Sequence, residues 1–298
     1  MATPRERSTL DVEGATLTAL VARPEEVPEG GPKPLIVALH GGTYTADYFA
    51  VAGSPAGSFL DVAAAHGHVV FAFDRPGYGG STVFPPAENT FARHTEVLAR
   101  AVEAVAKQEG AEQVLLVGHS IGGMIALMIA ARAPRLPLVG VSATGMGAAI
   151  PPGGAAEALA ELPADATVDL PYDQRDQVMF GPAGTYREEA VRQAHGSYAP
   201  TPVMELIQAP AWPREHLAAV APEVRVPVHN VLAEHDALWD SAPENVARFA
   251  SLFTAAPFVD ASVARATGHC LDHHLLGHAL HLRQLAFAEE CAALDGVR

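Results

Sequence analysis

VLLVGHSIGG, from Val114 to Gly123, together with the MIALMIAARA that follows it, decides how this chain is read. Four consecutive apolar residues match the length of a short buried strand, and the apolar stretch beyond Gly123 continues to the breaker Pro134. Between them stands Gly118-His119-Ser120-Ile121-Gly122, a G-x-S-x-G pentapeptide. A strand that turns sharply into a helix leaves no room for side chains two residues before and two after the turn, so glycine belongs at both places. The central serine is then pushed out at the top of the sheet. It sits at the amino end of a helix whose dipole favours developing negative charge.

The same grammar recurs outward from this turn. LIVALHGG (Leu35 to Gly42), VVFAFDRPGYGGS (Val69 to Ser81), LVGVSATG (Leu138 to Gly145) and VPVHNVLAEHD (Val226 to Asp236) each begin as a buried strand and end in small or polar residues. FARHTEVLARAVEAVAKQEG reads as a helix stopped by Gly110. The pattern predicts an α/β fold: a mostly parallel central sheet with helices on both faces, and function at the carboxyl ends of its strands.

From Ile150 to Pro222 the alternation breaks. PPGG opens the segment, its helical pieces are short, and Met179, Phe180, Tyr186, Tyr198, Met204, Leu206, Ile207 and Trp212 recur within it. So long an insertion reads as a mainly helical lid over the carboxyl face; the alternative is a surface excursion with a small core of its own. The expected division is core 1–149, lid 150–222 and core 223–298.

Composition removes several classes of function. A formal charge of −15, from 19 basic and 34 acidic residues, repels nucleic acid and anionic membranes, and no basic patch overrides it. No apolar run approaches the roughly 20 residues that span a bilayer. MATPRERSTLDVEG lacks the apolar centre of a secretory signal, so a cytoplasmic location is expected. Cys270 and Cys291 form no metal or redox spacing. The expected partner is a small-molecule substrate, with no cofactor.

In the elbow at Ser120, in HGGT (His40 to Thr43) and in DRPGYGGS (Asp74 to Ser81), the sequence resembles the α/β-hydrolase family over nearly the whole chain. The resemblance implies a nucleophile, an acid and a histidine in that chain order, preceded by an oxyanion loop. Ser120 is then the nucleophile, and the backbone amides of Gly42 and Ile121 are the oxyanion donors. Asp236 is the acid, although Ala233 stands where the family usually has glycine; Glu234 and Asp240 are the alternatives. No carboxylate follows LVGVSATG, the position used by some members. A serine at the elbow argues against the haloalkane dehalogenase and epoxide hydrolase branches, which use aspartate there. HGGT in place of HGGG leaves the lipase/esterase subclass open. Tyr44 and Trp239 either line the pocket or pack.

GHCLDHHLLGHALH (Gly268 to His281) holds five histidines. His269 follows a glycine, as the family's general base does. His273 and His274 could replace it only from a longer loop. The others fall in an expected final helix, Asp272 to Leu294, with His274, His278 and His281 on one polar or partly solvated face. A three-histidine metal site is conceivable at that spacing, but nothing completes an obvious ligand set, so no metal is expected.

The chemistry expected is hydrolysis of an ester, lactone or thioester of a medium-sized, partly apolar substrate through an acyl-enzyme on Ser120. The alternatives are a non-hydrolytic eliminase, cyclase or acyltransferase, or a ligand-binding receptor on the same scaffold. A pure binder has no physical need for an activated serine.

Overall fold

The structure is a computed structural model that describes residues 4–26, 33–151 and 162–296. Its centre is a sheet of eight strands: β1 (Arg5–Val12), β2 (Ala15–Ala22), β3 (Leu35–Leu39), β4 (Val70–Phe73), β5 (Val114–His119), β6 (Leu138–Thr144), β9 (Val228–Ala233) and β10 (Val259–Ala264). Their order is β1-β2-β4-β3-β5-β6-β9-β10. From β4 to β10 every pairing is parallel, as the buried runs predict, whereas β1 with β2 and β2 with β4 pair antiparallel.

The alternation of side chains explains why helices cover both faces. Leu35, Val37 and Leu39 of β3, and Val114 and Leu116 of β5, enter one hydrophobic cluster. Ile36 and Ala38 of β3, and Leu115 and Val117 of β5, enter the other. Such strands are buried on both sides and therefore read as continuous apolar runs. Truncating Leu116 to alanine in this packing should cost about 2–5 kcal/mol.

Three helices pack against the sheet. α1 (Phe59–Ala65) opens with a capping box between Ser58 and Asp61 and lies against the second cluster. α2 (Phe91–Glu109) is capped by the Thr90 side chain and ends where Gly110 takes φ 61°. α3 (Ile121–Arg132) is buried from Ile121 to Ala130, as a helix apolar all round must be.

The hairpin of β1 and β2 is an addition to the expected strands. Glu13 (φ 48°) and Gly14 (φ 80°) make its two-residue turn, with Val12 opposite Ala15. A turn with two positive φ values matches the right-handed twist of the strands it joins.

Residues 152–161 of the expected lid, with most of PPGG, lie outside the described residues. The rest carries a short pair, β7 (Thr167–Val168) with β8 (Thr201–Pro202), and helices at Tyr172–Phe180, Glu188–His195 and Val203–Glu215. Its buried side chains join the main clusters: Trp212, Leu217 and Val220 one, Met179, Phe180, Ala190 and Ala194 the other.

The final helix is shorter than expected. It spans Gly277–Asp295, and Leu271–His273 form a separate turn of 3-10 helix. Gly277 packs so closely on the carbonyls of Leu271 and Asp272 that a side chain would collide there, which sets the chain's re-entry into helix.

Candidate active site

Ser120 follows β5 directly and takes φ 52°, ψ −119°, a conformation unfavourable for a residue with a Cβ. The surroundings impose it. A Cβ on Gly118 would strike the carbonyl of Gly122, and one on Gly122 would strike the carbonyls of Leu39 and His40. Ser120 N donates to Thr144 O at 2.7 Å, which ties the elbow to the end of β6. Ser120 is 8 % exposed.

Asp236 lies three residues beyond β9 and His269 five beyond β10. His269 Nδ1 stands 3.0 Å from both carboxylate oxygens of Asp236. A carboxylate accepts, so Nδ1 carries the proton and the Nε2 lone pair is left free. Asp236 Oδ1 also accepts from the amides of Leu238 (2.9 Å) and Trp239 (3.1 Å), fixing the acid in its turn.

The two alternative acids point elsewhere. Glu234 accepts from Ala266 N at 2.8 Å, and Asp240 from Ala242 N at 3.0 Å.

Gly42 and Ile121 are brought together: a Cβ on Gly42 would lie 3.1 Å from Ile121 Cδ1. Neither amide reaches an acceptor among the described residues. Tyr44 is fully buried, edge-on to Tyr48 and Tyr198. Trp239 is buried in the same cluster as Val246 and Phe249.

Of the expected helix face, His278 lies in the helix and is half-buried, whereas His281 is buried and His274 is buried and precedes the helix, as does His273. His274 Nε2 accepts from Gly268 N at 2.9 Å, and its Nδ1 faces Thr185 Oγ1 at 3.1 Å. His273 Nε2 donates to Tyr48 O at 3.0 Å. His281 Nε2 donates to Asp272 Oδ1 at 3.1 Å, while Tyr48 Oη donates to Asp272 Oδ2 at 2.7 Å. Among the described residues no group of three or more His, Cys, Asp or Glu is arranged to hold a metal ion.

His119, the second residue of the pentapeptide, stacks on Tyr48 at 4.5 Å and donates from Nε2 to His269 O at 2.9 Å. Burial, reinforced by the nearby His269, pushes its pKa down to about 3. Burial likewise holds His273 and His274 at about 4. For Asp272, burial alone would raise the pKa; the hydrogen bond and charge of His281 outweigh it and hold the carboxyl well below its usual range. Burial pushes the Cys270 thiol far up, and its Sγ donates to Met179 O.

Sequence reading missed a second polar group beside the elbow. Arg75, fully buried, meets Glu205 in a two-pronged ion pair, Nη1 to Oε1 at 3.0 Å and Nη2 to Oε2 at 2.8 Å. The same guanidinium donates to His40 O (2.9 Å) and Gly41 O (3.1 Å). Tyr78 Oη donates to Glu205 Oε2 at 2.9 Å. The only sequence signal was an arginine inside DRPGYGGS and a glutamate inside an apolar helix.

With this geometry in hand, the chain can be placed: it belongs to the alpha/beta hydrolase family, whose model matches residues 36–290. No curated protein matches it in sequence. Among solved structures it is similar to a membrane phospholipase A described as a bacterial virulence factor (TM-score 0.70, 17 % identity, 97 % of this chain and 87 % of that one). It is also similar to a thioesterase domain from the curacin biosynthetic pathway (0.65, 17 %, 95 % and 99 %). A third is the N-acyl homoserine lactonase AidH (0.67, 15 %, 97 % and 98 %). At these identities the likeness is one of fold. No helix among the described residues is long and apolar enough to cross a membrane.

Proposed function

We propose that this chain is a serine hydrolase that cleaves an ester, lactone or thioester of a medium-sized, partly apolar molecule through an acyl-enzyme on Ser120. The observation that carries the reading is the pairing of His269 with Asp236 at 3.0 Å, beyond the carboxyl ends of β9 and β10, in the same sheet whose β5 ends at the strained serine elbow.

His269 Nε2 takes the proton from Ser120 Oγ as the oxygen attacks the carbonyl carbon, while Asp236 holds the ring in the required tautomer and stabilises its protonated form. The amides of Gly42 and Ile121 receive the oxyanion, each worth about 3 kcal/mol where such donors have been removed from other enzymes. His269 then protonates the leaving alcohol or thiol. In the second half it activates water, and collapse releases the acid and restores Ser120. Segment 150–222 serves as a cap that excludes solvent and shapes the substrate site.

The test is intact mass after exposure to a small fluorophosphonate, beside Ser120→Ala. One adduct on the wild type and none on the variant is expected. No adduct on folded wild type rejects the reading. Turnover in heavy-oxygen water then separates hydrolysis from transfer or elimination, since hydrolysis puts solvent oxygen into the acid product.

A further inference from the structure

The candidate oxyanion loop is held largely by side chains and backbone of the cap. Thr43, at φ 66°, donates its amide to Thr201 Oγ1 at 2.7 Å and accepts at its carbonyl from Ala199 N at 2.9 Å. Thr45 N donates to Ser197 O at 2.8 Å, and Tyr44 forms a bridge pair with Tyr198. On the other side of the loop Arg75, held by Glu205 of the cap, donates to the carbonyls of His40 and Gly41.

The Gly41 carbonyl belongs to the same peptide unit as the Gly42 amide. It accepts from Arg75 Nη2 at 3.1 Å and from His40 Nδ1 at 2.7 Å. That tautomer of His40 is set by Arg75 N, which donates to His40 Nε2 at 3.0 Å. Two donors on a carbonyl, one of them cationic and all buried, draw electron density along the peptide and make its N–H a stronger donor. Ile121 has a neutral counterpart: its peptide carbonyl, on Ser120, accepts from Gly123 N and Met124 N at 2.9 and 3.1 Å.

We propose that Arg75, anchored by Glu205 of the cap, is a positioning residue that orients and polarises the Gly41–Gly42 peptide, so that the cap's docking tunes the oxyanion site. This rests on the hydrolase reading above. Arg75 touches no reacting atom and acts through the Gly42 amide alone. The effect is therefore confined to states that bear the oxyanion.

The experiment compares wild type, Arg75→Lys and the double variant Arg75→Met with Glu205→Leu. Lysine keeps the charge beside Glu205, but its single nitrogen cannot serve both carboxylate oxygens and both loop carbonyls. The double variant leaves no buried charge unpaired, which favours its folding. Active sites are counted by fluorophosphonate adduct. Each protein is then assayed with a short p-nitrophenyl ester and with an alkyl trifluoromethyl ketone, which forms a tetrahedral adduct.

The expected result, in either variant, is a fall in kcat per counted site of about tenfold or more with KM within about twofold. Ketone affinity should fall by the same factor as kcat. A structural role alone would lower the number of counted sites and leave kcat per site unchanged; that outcome overturns the proposal. Wild type that takes no fluorophosphonate overturns the hydrolase reading itself, and is told apart because it is seen before any variant is compared.

Discussion

His119 donates from Nε2 to the main-chain oxygen of His269 at 2.9 Å, so the residue before the serine grips the histidine proposed as its general base. The bond needs only a neutral imidazole, which the depressed pKa of about 3 supplies. Replacing His119 with leucine leaves that carbonyl with the amide of Leu271, at 3.0 Å, as its remaining donor. Stability should fall by about 0.5–1.5 kcal/mol, and kcat should fall as the His269 loop loosens. Urea unfolding beside steady-state kinetics checks this; a variant with unchanged stability and rate refutes the gripping role.

Asp236→Asn should lower kcat by a factor on the order of 10³–10⁴ while leaving the fold intact. The amide can turn its NH₂ toward His269 and force the wrong tautomer, with the Nε2 lone pair lost to a proton. Glu234→Gln and Asp240→Asn are expected to stay within about twofold, because Glu234 holds the amide of Ala266 and Asp240 that of Ala242, and neither is bonded to His269. Rates from the three variants, side by side, would show a misassigned acid at once.

Ser120 stores backbone strain and makes no side-chain cap to the helix it begins. Ser120→Gly should therefore abolish turnover yet raise unfolding free energy by about 1 kcal/mol, the relief of strain less the greater entropy of unfolded glycine. The midpoint of urea unfolding measures it. A lower midpoint would mean that the elbow is relaxed with serine in place.

Burial depresses the pKa values of His40, His68 and five further histidines, His119 to about 3 and His94, His229, His273 and His274 to about 4. The unfolded chain binds protons at the last five sites from about pH 6.5 downward, and the folded one does not until about pH 4. Their contribution to stability is thus complete above pH 6.5 and is lost as pH falls. Each such site forfeits at most about 1.4 kcal/mol per pH unit over this interval. Asp272, with its lowered pKa, adds loss of the same sign further down. Urea midpoints at pH 7.5 and 5.5 should differ widely; equal midpoints would falsify the neutral, buried assignment.

The residues that carried the fold in sequence are those whose environment is made by neighbours along the chain. β3 to β6 were legible because both faces are buried, and α2 because Gly110 closes it. The β1–β2 hairpin escaped because β1 is largely exposed and polar, so its alternation carries little apolar signal. The histidine stretch was misread for a different reason. Periodicity placed His274, His278 and His281 on one helical face, whereas tertiary contacts from Thr185 and Gly268 hold His274 before the helix begins. Arg75 and Glu205 are 130 residues apart, and nothing local to either announces the other.

The buried imidazoles bear finally on how the protein fails in acid. The chain's charge of −15 at neutral pH shrinks to nothing near its isoelectric point of about 5.3. That is the same interval in which proton uptake by the unfolded chain erodes the stability of the fold. Chains opened there meet one another with their apolar segments bared and no mutual repulsion to keep them apart. Acidification will act less as a reversible titration than as a one-way precipitation, and restoring neutral pH will recover little of what was lost.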